Sequence, residues 1–573
     1  MRWRYAAAPP GYALALALLV VGPLLGRGYL LLRDAVSTPR SYLSDGALGL
    51  LSAPRATPQD FAVALASHLL DGGVVVKALL VLALWLAGWG AARLVATVVP
   101  DAGMGGQFVA ITLAIWNPYV AERLLQGHWS LLLAYGCLPW VATTMLALRS
   151  AAASRWPRFL RLAFWIALAG FTATGLMLAA TVALACVAAP GTGRPRWQCA
   201  ATAVGAAVVA ALPWLIASAL GPAVPTRSWA AAPGVVAFAA RAEPGLGTLG
   251  SLASLGGIWN AQAVPGSRTT LFAVVAAIVL LGVVAAGLPG IRRRPAAIPL
   301  LIVAALAVLV PTALATGPGL AVLRAMVAAV PSLGVLRDGQ KWVALAVPGY
   351  TLAAAQTVLT ARRWLPGAAA TAACCAALIA TLPDLAYGEW GKVTPVRYPA
   401  GWAAVAAEIN TAPGPVAVLP AGIMRRFSWS GSAPALDPLP RWVRADVLIT
   451  GDLTISGMTV LGENSRARAV QELLLSGSGP GALTRAGVAW LVVEEGSVGE
   501  KDAATKTFQQ LPAAYRDGDL ALYRIGGDTA LVPSSRRFTV LIAHLAWLAL
   551  LLGGAIGMAV PDRWLARRDR RRV

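Results

Sequence analysis

Charged residues are scarce in this chain of 573 residues. Asp, Glu, Lys and Arg make up 13% of it, 58% of the residues are hydrophobic, and the mean hydropathy is +0.68. Soluble globular proteins usually contain about 25% charged residues. The composition therefore excludes a soluble globular protein and predicts a polytopic α-helical membrane protein.

Carboxylates are the rarest charged groups in the long hydrophobic part of the chain. Residues 1–383 contain only Asp34, Asp45, Asp60, Asp71, Asp101, Glu122, Glu243 and Asp338. Asp101 lies in a predicted turn, and Asp60 and Asp71 are predicted to cap the two ends of a surface helix at Thr57–Asp71. A general base in this part of the chain must therefore come from the five other positions, unless the polar segment after residue 383 supplies it.

Several motifs with known chemistry are also missing. No Walker loop, GxSxG elbow, HExxH or CxxC stands in a supporting context, so nucleotide hydrolysis, serine hydrolysis and zinc proteolysis have no basis in the sequence. The three histidines are scattered, and the five cysteines lie in or beside apolar runs. The predicted outer loops lack DxD and ExD, so a bound divalent cation is unsupported and we expect no metal and no cofactor.

The net charge of +22 comes from short basic clusters that lie between apolar runs. Such clusters mark the cytoplasmic ends of membrane spans. No basic stripe is interleaved with aromatic residues, so nucleic acid is not an expected partner, whereas membrane lipids are. The clusters are Arg2 with Arg4, Arg155–Arg161, Arg194 with Arg196, Arg292–Arg294, Arg362 with Arg363, and Arg567–Arg572.

Apolar runs long enough to cross a bilayer begin near Tyr12, Val74, Gln107, Trp129, Leu160, Cys199, Thr270, Ile298, Trp342, Pro366 and Phe538. The run Leu160–Ala189 is too long for one ordinary span, and Gly170, Thr172 and Gly175 interrupt its middle. If this run forms two short helices, the chain crosses the membrane about twelve times. Every basic cluster then lies inside, which predicts a multi-pass plasma-membrane protein with both termini cytoplasmic.

This topology divides the chain into four parts. Residues 1–383 form a transmembrane module with outer loops at 33–73, 117–128, 221–267 and 317–341. Residues 384–537 form a small extracytoplasmic α/β domain, with predicted strands at 416–419, 488–493 and 520–523 and helices at 401–410 and 465–475. Residues 538–560 are the last span, and residues 561–573 are a basic cytoplasmic tail.

The first outer loop, RGYLLLRDAVSTPRSYLSD, places Arg33 and Asp34 where the first span ends. An ionisable pair in that position is a candidate functional site. We predict Asp34 as the catalytic base, kept ionised by Arg33, with Asp45 and then Asp338 as the runners-up. Alternatively, the pair is an interfacial anchor, with Arg33 on a lipid phosphate.

Two further outer segments carry cations that suit a phosphate. In WNPYVAERLLQGHW, Arg123 offers a bidentate fork and His128 another donor, and SLGVLRDGQKW adds Arg337 and Lys341. Together with Arg33, these four residues form the predicted phosphate-binding site, which would hold the phosphate of a donor substrate. The supporting residues are Asn117, Tyr119, Glu122 and Gln126. Plain interfacial anchoring beside an aromatic belt is the alternative for both segments.

The pattern resembles the GT-C fold glycosyltransferases, which take a sugar from a polyprenyl-phosphate donor and carry a catalytic acid in the first outer loop, here matched by Asp34. WNPYVAERLLQGHW and LPDLAYGEWGKVTPVRYPAGW look like the membrane module of actinobacterial arabinofuranosyltransferases of the AftD type. The high Ala, Arg and Gly content agrees with a high-GC actinobacterial origin. The chain lacks the long carbohydrate-binding extension of that type, and a single Arg-Asp replaces the paired acidic motif of several GT-C branches.

The resemblance implies transfer of a sugar, arabinofuranose or mannose, to a cell-envelope glycan or glycolipid at the outer face. Two alternatives remain at this point: a lipid or glycolipid transporter or flippase, and a non-catalytic cell-envelope assembly protein. A transporter is expected to carry polar residues deep in several spans. These spans are mostly Ala, Leu and Val, with the polar residues gathered at one face, and this favours an enzyme.

The topology predicts which positions a membrane-impermeant thiol reagent can reach. A cysteine introduced at Ser432 should be labelled from outside, because 384–537 lies there, and one introduced at Ala296 should not, because it follows a cytoplasmic basic cluster. Labelling of intact cells measures the difference. Reaction at position 296 but not at 432 would show that every loop lies on the opposite side of the membrane from the one predicted.

Overall fold

The computed structural model describes residues 2–51, 56–150, 156–221, 234–455, 457–462, 464–495, 502–528 and 532–559. A bundle of apolar helices makes up most of it. The helices up to residue 220 are α1 (Arg2–Val21), α2 (Gln59–Ala66), α3 (Gly72–Val98), α4 (Gly103–Ile115), α5 (Pro118–Leu125), α6 (Trp129–Ser150), α7 (Trp156–Ala169), α8 (Ala173–Val187) and α9 (Arg196–Leu220).

The bundle continues through residue 380 and is completed by the last long helix of the chain. A 3-10 helix, Gly339–Ala346, runs directly into the α-helix that begins at Val347. The bundle helices here are α10 (Gly247–Ala253), α11 (Phe272–Ile291), α12 (Ile298–Leu314), α13 (Gly317–Ala329), α14 (Val347–Ala361), α15 (Gly367–Ala380) and, at the end of the chain, α21 (Ser534–Ala559). The segment between α15 and α21 contains α16 (Ala400–Thr411), α17 (Leu439–Trp442), α18 (Ser465–Leu475), α19 (Pro480–Arg485) and α20 (Thr505–Phe508).

Seven helical segments in the described part of the chain are long and apolar enough to cross a membrane, and the number rises to nine if each sharply bent pair is one span. The chain is therefore a multi-pass membrane protein. The count of twelve spans stays a prediction, because α4, α7 and α8 have only 13, 14 and 15 residues. The two bent pairs are α12 with α13, at 91°, and α15 with Pro383–Gly391, at 76°.

The predicted interruption of Leu160–Ala189 is confirmed. Helix α7 ends at Ala169 and α8 begins at Ala173. Between them Thr172 is extended, and its hydroxyl accepts a hydrogen bond from the Gly175 amide at 3.0 Å. This is an N-cap, which satisfies one of the free amides that every helix start leaves. The run therefore forms two short helices.

A five-stranded mixed sheet lies between α16 and α21 in the chain. Its strands, in order across the sheet, are β10 (Ala513–Arg516), β11 (Leu520–Arg524), β9 (Trp490–Glu494), β3 (Val416–Leu419) and β6 (Val447–Leu448). Strand β3 is parallel to both β6 and β9. The central strands β9 and β3 are fully buried, as apolar runs covered on both faces are. Two further short strands, β7 (Leu453–Ile455) and β8 (Met458–Val460), form a separate hairpin.

The loop after α1 joins the helical bundle to this sheet layer. Its two short strands, β1 (Leu31–Leu32) and β2 (Ala35–Val36), form a hairpin. The hairpin contacts β5 (Ala435–Leu436), which pairs with β4 (Met424–Arg425). The Arg33 amide donates to Pro434 O, and the Leu436 amide donates to Arg33 O, both at 2.8 Å. The tip of the first loop is therefore held by a segment about 400 residues later.

The surface helix differs from the prediction at both ends. Helix α2 is only Gln59–Ala66, Pro58 occupies the N-cap position expected for Thr57, and the Phe61 side chain is buried. Asp71 caps α3 instead, accepting from the Gly73 and Val74 amides at 2.8 and 3.2 Å. A carboxylate at that place favours a helix start because it meets the free amides there.

Gly127 allows the first loop to contact the turn between α5 and α6. Its φ is +81°, and a Cβ there would lie 2.4 Å from both Leu32 O and Ala35 N. Any larger residue must displace the backbone on either side of Asp34. Gly103 has φ +59° but nothing within 4 Å of its Cβ position.

Gly127→Ala should therefore destabilise the protein more than Gly103→Ala. Both variants place a Cβ at positive φ, where a residue other than glycine costs on the order of 1–3 kcal/mol, but only Gly127→Ala adds the clash. The midpoint of thermal unfolding in detergent measures the difference. Equal shifts for the two variants would show that the close approach at residue 127 is absent.

Candidate functional site

Asp34 lies at the tip of the β1–β2 hairpin, against the turn after α5. Its Oδ2 accepts hydrogen bonds from His128 Nε2 at 2.7 Å and from Gln126 Nε2 at 3.0 Å. Among the described residues Oδ1 has no hydrogen-bond partner, and the side chain is 33% exposed. One carboxylate oxygen is thus fixed by the protein and the other is open to a small molecule.

The orientation of both donors is set by a second layer of contacts. Arg123 Nη1 lies 3.1 Å from His128 Nδ1. Because an arginine can only donate, Nδ1 must accept, and Nε2 therefore carries the hydrogen that faces Asp34. Asn260 Nδ2 donates to Gln126 Oε1 at 2.7 Å, so the Gln126 amide group turns its NH₂ toward Asp34 in the same way.

Burial raises the pKa of the Asp34 carboxyl, but the hydrogen bonds from His128 and Gln126 and the charge of Lys341 outweigh it. The net pKa lies below its usual value, so Asp34 is ionised at neutral pH. Burial lowers the pKa of His128, which keeps the ring neutral. Arg33 interacts with Asp34 through its charge, whereas the direct hydrogen bonds to the carboxylate come from His128 and Gln126.

Arg123 is completely buried below this layer. Its Nη1 and Nη2 donate to the two oxygens of Asp338 at 2.9 and 3.0 Å, Nη2 also donates to Gln340 Oε1, and the guanidinium lies over the Tyr119 ring. Burial raises the pKa of Asp338, but the charges of Arg123 and Lys341 hold it well below its usual range. The terminal nitrogens of Arg123 are therefore taken up by protein groups, which leaves no free fork for a phosphate.

Lys341 is the cation of this cluster that reaches the open side. Its Nζ lies 3.6 Å from Asp338 Oδ2, and the side chain is 26% exposed. The Tyr119 hydroxyl donates to Lys341 O at 3.2 Å and fixes the backbone there. The buried indole N–H of the adjacent Trp342 has no partner among the described residues. Lys341 is therefore a charged donor that a ligand can reach.

Three other predicted site residues make their contacts elsewhere. Arg33 Nη1 and Nη2 each donate at 2.6 Å, to Leu125 O and Gln262 O, so this guanidinium ties loops together. The Arg337 guanidinium lies over the Phe238 ring, and its Nε donates to Gly334 O at 3.0 Å. Asp45 pairs with Arg537 at 3.2 Å, and burial raises the pKa of its carboxyl.

The remaining supporting residues build the segment that carries His128. Asn117 Oδ1 accepts from the Val120 amide at 3.1 Å and caps α5. Glu122 is fully buried and accepts from the Gly257 and Ile258 amides, both at 3.1 Å, and from Gln340 Nε2 at 2.8 Å. Burial raises the pKa of Glu122 well above its usual value. These contacts fix the irregular segment 256–260 against α5.

Asn260 and Gln262 were missed at the level of sequence. Both are neutral and lie in a long outer segment, where only Glu243 was considered as a candidate general base. The cluster NAQ beside Trp259 was the available signal, because polar side chains beside an apolar run need partners. Within the described ranges, no group of three or more His, Cys, Asp or Glu side chains could hold a metal ion.

Comparison with known proteins adds information on the fold. No family model matches the sequence, and no curated protein sequence shows significant similarity to it. Among solved structures, the cryo-EM structure of the arabinofuranosyltransferase AftD from Mycobacteria superposes with a TM-score of 0.59 at 17% identity, over 92% of this chain. The chain has an AftD-like GT-C fold. It spans 40% of the length of that enzyme.

Breaking the Arg123–Asp338 pair should destabilise the protein strongly. Arg123→Met leaves Asp338 buried with only the longer Lys341 contact, and removal of one partner of a buried pair costs about 3–5 kcal/mol. The double variant Arg123→Met/Asp338→Leu should recover most of this loss, because no unpaired carboxylate remains. Denaturant unfolding in detergent measures all three proteins. A double variant no more stable than Arg123→Met would contradict this assignment.

Proposed function

We propose that this protein is an integral membrane glycosyltransferase that moves a sugar from a polyprenyl-phosphate donor to a cell-envelope glycan or glycolipid at the outer face of the membrane. The observation that carries the proposal is the state of Asp34. It is an ionised carboxylate with Oδ2 held by two donors and Oδ1 open, beside an exposed cation. The AftD-like fold supports the same conclusion.

Asp34 acts as the general base in this proposal. Its open oxygen accepts the proton of the acceptor hydroxyl while that oxygen forms a bond to the anomeric carbon of the sugar. Because His128 Nε2 and Gln126 Nε2 hold Oδ2, the carboxylate cannot rotate away from the acceptor. His128 stays neutral, and its role is to orient Asp34.

The leaving group is the polyprenyl phosphate. As the bond between the anomeric carbon and the phosphate oxygen breaks, negative charge builds on the phosphate, and a fixed cation stabilises it. Lys341 fits this role because it is partly exposed and close enough to Asp34 for its charge to lower the pKa of that carboxyl.

A groove between α8 and α9 is the proposed site for the isoprenoid chain. Helix α8 and α9 enclose a space of about 230 Å³ that is almost wholly apolar. Helix α8 also contacts the 3-10 helix Gly339–Ala346, which carries Lys341. The groove is lined by Leu176, Met177, Ala180, Leu184, Ala203, Val204, Ala207, Val208, Ala211 and Leu215. Small and branched residues in alternation suit a methyl-branched chain.

The sugar is proposed to be arabinofuranose or mannose. The first follows from the likeness to AftD, which is named as an arabinofuranosyltransferase. Both donors should therefore be tested, as synthetic polyprenyl-phosphate sugars in proteoliposomes.

Asp34→Asn should lower the turnover number for sugar transfer by ~10²-fold or more, the range typical for loss of a general base. The amide keeps the size of the side chain but cannot take the proton. Transfer of radiolabelled sugar measures turnover, and retention of labelled donor by the purified variant measures binding. Donor binding should be unchanged.

Asp45→Asn is the matched control, since it removes a carboxylate of the same loop that pairs with Arg537. It should transfer sugar at close to the unmodified rate. Near-normal transfer by a folded Asp34→Asn protein would refute the role of Asp34. If Asp45→Asn were then inactive, Asp45 would be the base, and if both were active, a non-enzymatic role would follow.

Lys341→Met should weaken donor binding, because a hydrogen bond to a charged group contributes about 1.5–3 kcal/mol, equivalent to roughly 10- to 100-fold in the dissociation constant. Arg337→Met is the comparison, and it should have a smaller effect because this guanidinium lies on Phe238. Titration with labelled donor measures both. A larger loss in Arg337→Met would restore Arg337 as the phosphate ligand.

A further inference from the structure

Three ionisable side chains are completely buried in the sheet layer, away from Asp34. Arg425 at the end of β4 donates through Nε to Glu494 Oε2 and through Nη2 to Asp437 Oδ2 at 3.4 Å. Its Nη1 donates to Gly422 O. All three side chains have an exposure of 0%. We call Arg425, Asp437 and Glu494 the buried triad.

The charges of the buried triad do not balance if both carboxyl groups are ionised. One guanidinium then faces two carboxylates, which leaves a net negative charge in a site without water contact, and such a charge is very costly. The atoms point to the same conclusion. Glu494 Oε1 is buried and accepts no hydrogen bond from the described residues, whereas both oxygens of Asp437 are occupied by donors.

A proton on Glu494 removes both problems. The carboxyl O–H of Glu494 then donates to Asp437, and the triad becomes neutral. Burial raises the pKa of Glu494 well above its usual value, and the nearby Asp437 carboxylate adds to this effect. A protonated carboxylic acid at neutral pH is known for groups in apolar sites beside a second carboxylate.

The buried triad is directly connected to the loop that carries Asp34. Asp437 follows β5, whose Leu436 amide donates to Arg33 O, while Pro434 O accepts from the Arg33 amide. Glu494 ends β9, a central strand of the sheet. The triad therefore clamps the β4–β5 hairpin to the sheet, and the hairpin in turn holds the backbone next to Asp34.

We propose that Glu494 is protonated and shares its proton with Asp437, and that this neutral triad positions Asp34 by fixing the β4–β5 hairpin. Arg425, Asp437 and Glu494 are positioning residues and touch no substrate. The consequence for catalysis rests on the proposed transferase function, whereas the structural part does not.

Amide hydrogen exchange tests the structural part in the full-length protein. In Asp437→Ala and Glu494→Ala, the amides of Arg33 and Leu436 should exchange faster than in the unmodified protein, while α5 stays unchanged. Glu494→Gln should keep slow exchange, because its NH₂ can donate to Asp437 as the protonated acid does and its oxygen can accept from Arg425. The control Arg468→Ala breaks a partly exposed pair with Asp452 in the same layer and should change neither amide.

Kinetics test the catalytic part. Asp437→Ala should lower kcat by about 10- to 100-fold with little change in the donor KM, since a small misplacement of a catalytic group has an effect of that size. Glu494→Gln should retain most of the kcat. Equal damage in Glu494→Gln and Glu494→Ala would overturn the shared proton, and unchanged exchange and kcat in Asp437→Ala would overturn the connection to Asp34. If the unmodified protein transfers no sugar, the proposed function fails and hydrogen exchange alone decides this proposal.

Discussion

The contact between Arg123 and Asp338 is the interaction on which the site depends. It joins α5 to the segment before α14, and the second hydrogen of Arg123 Nη1 remains to donate to His128 Nδ1. Because a guanidinium never accepts a hydrogen bond, this contact decides the tautomer of His128 and so the state of Asp34. A lysine in place of Arg123 could not make the same fork and the third contact together.

Much of the architecture could be predicted from the chain. Scarce charge and long apolar runs are enough to predict a multi-pass membrane protein, and the glycines and threonines at 170–175 predict the break between α7 and α8. The strand at 416–419 and the helix at 465–475 are confirmed because their apolar patterns are strong and local. These features are determined by residues that are close together in the sequence, so a single sequence is enough to predict them.

The site was predictable only in part, for a physical reason. The sequence suggested that Asp34, Arg123, His128 and Lys341 lie in loops at one face, and the structure brings these four together. The sequence could not show that Arg123 lies below the site rather than in it, or that the Arg33 and Arg337 side chains make their contacts elsewhere. Burial and direction of a long side chain depend on tertiary contacts such as Asn260–Gln126 and Arg33–Gln262, which join distant segments.

The pairing of the Asp34 loop with residues 434–436 has a consequence for biosynthesis. Asp34 emerges among the first residues of the chain, but the backbone that holds it is synthesised about 400 residues later. Until that segment has been synthesised and the sheet has folded, the first loop lacks its partner strand. The geometry around Asp34 is therefore complete only after the strands that lie about 400 residues downstream have been made and have paired with this loop.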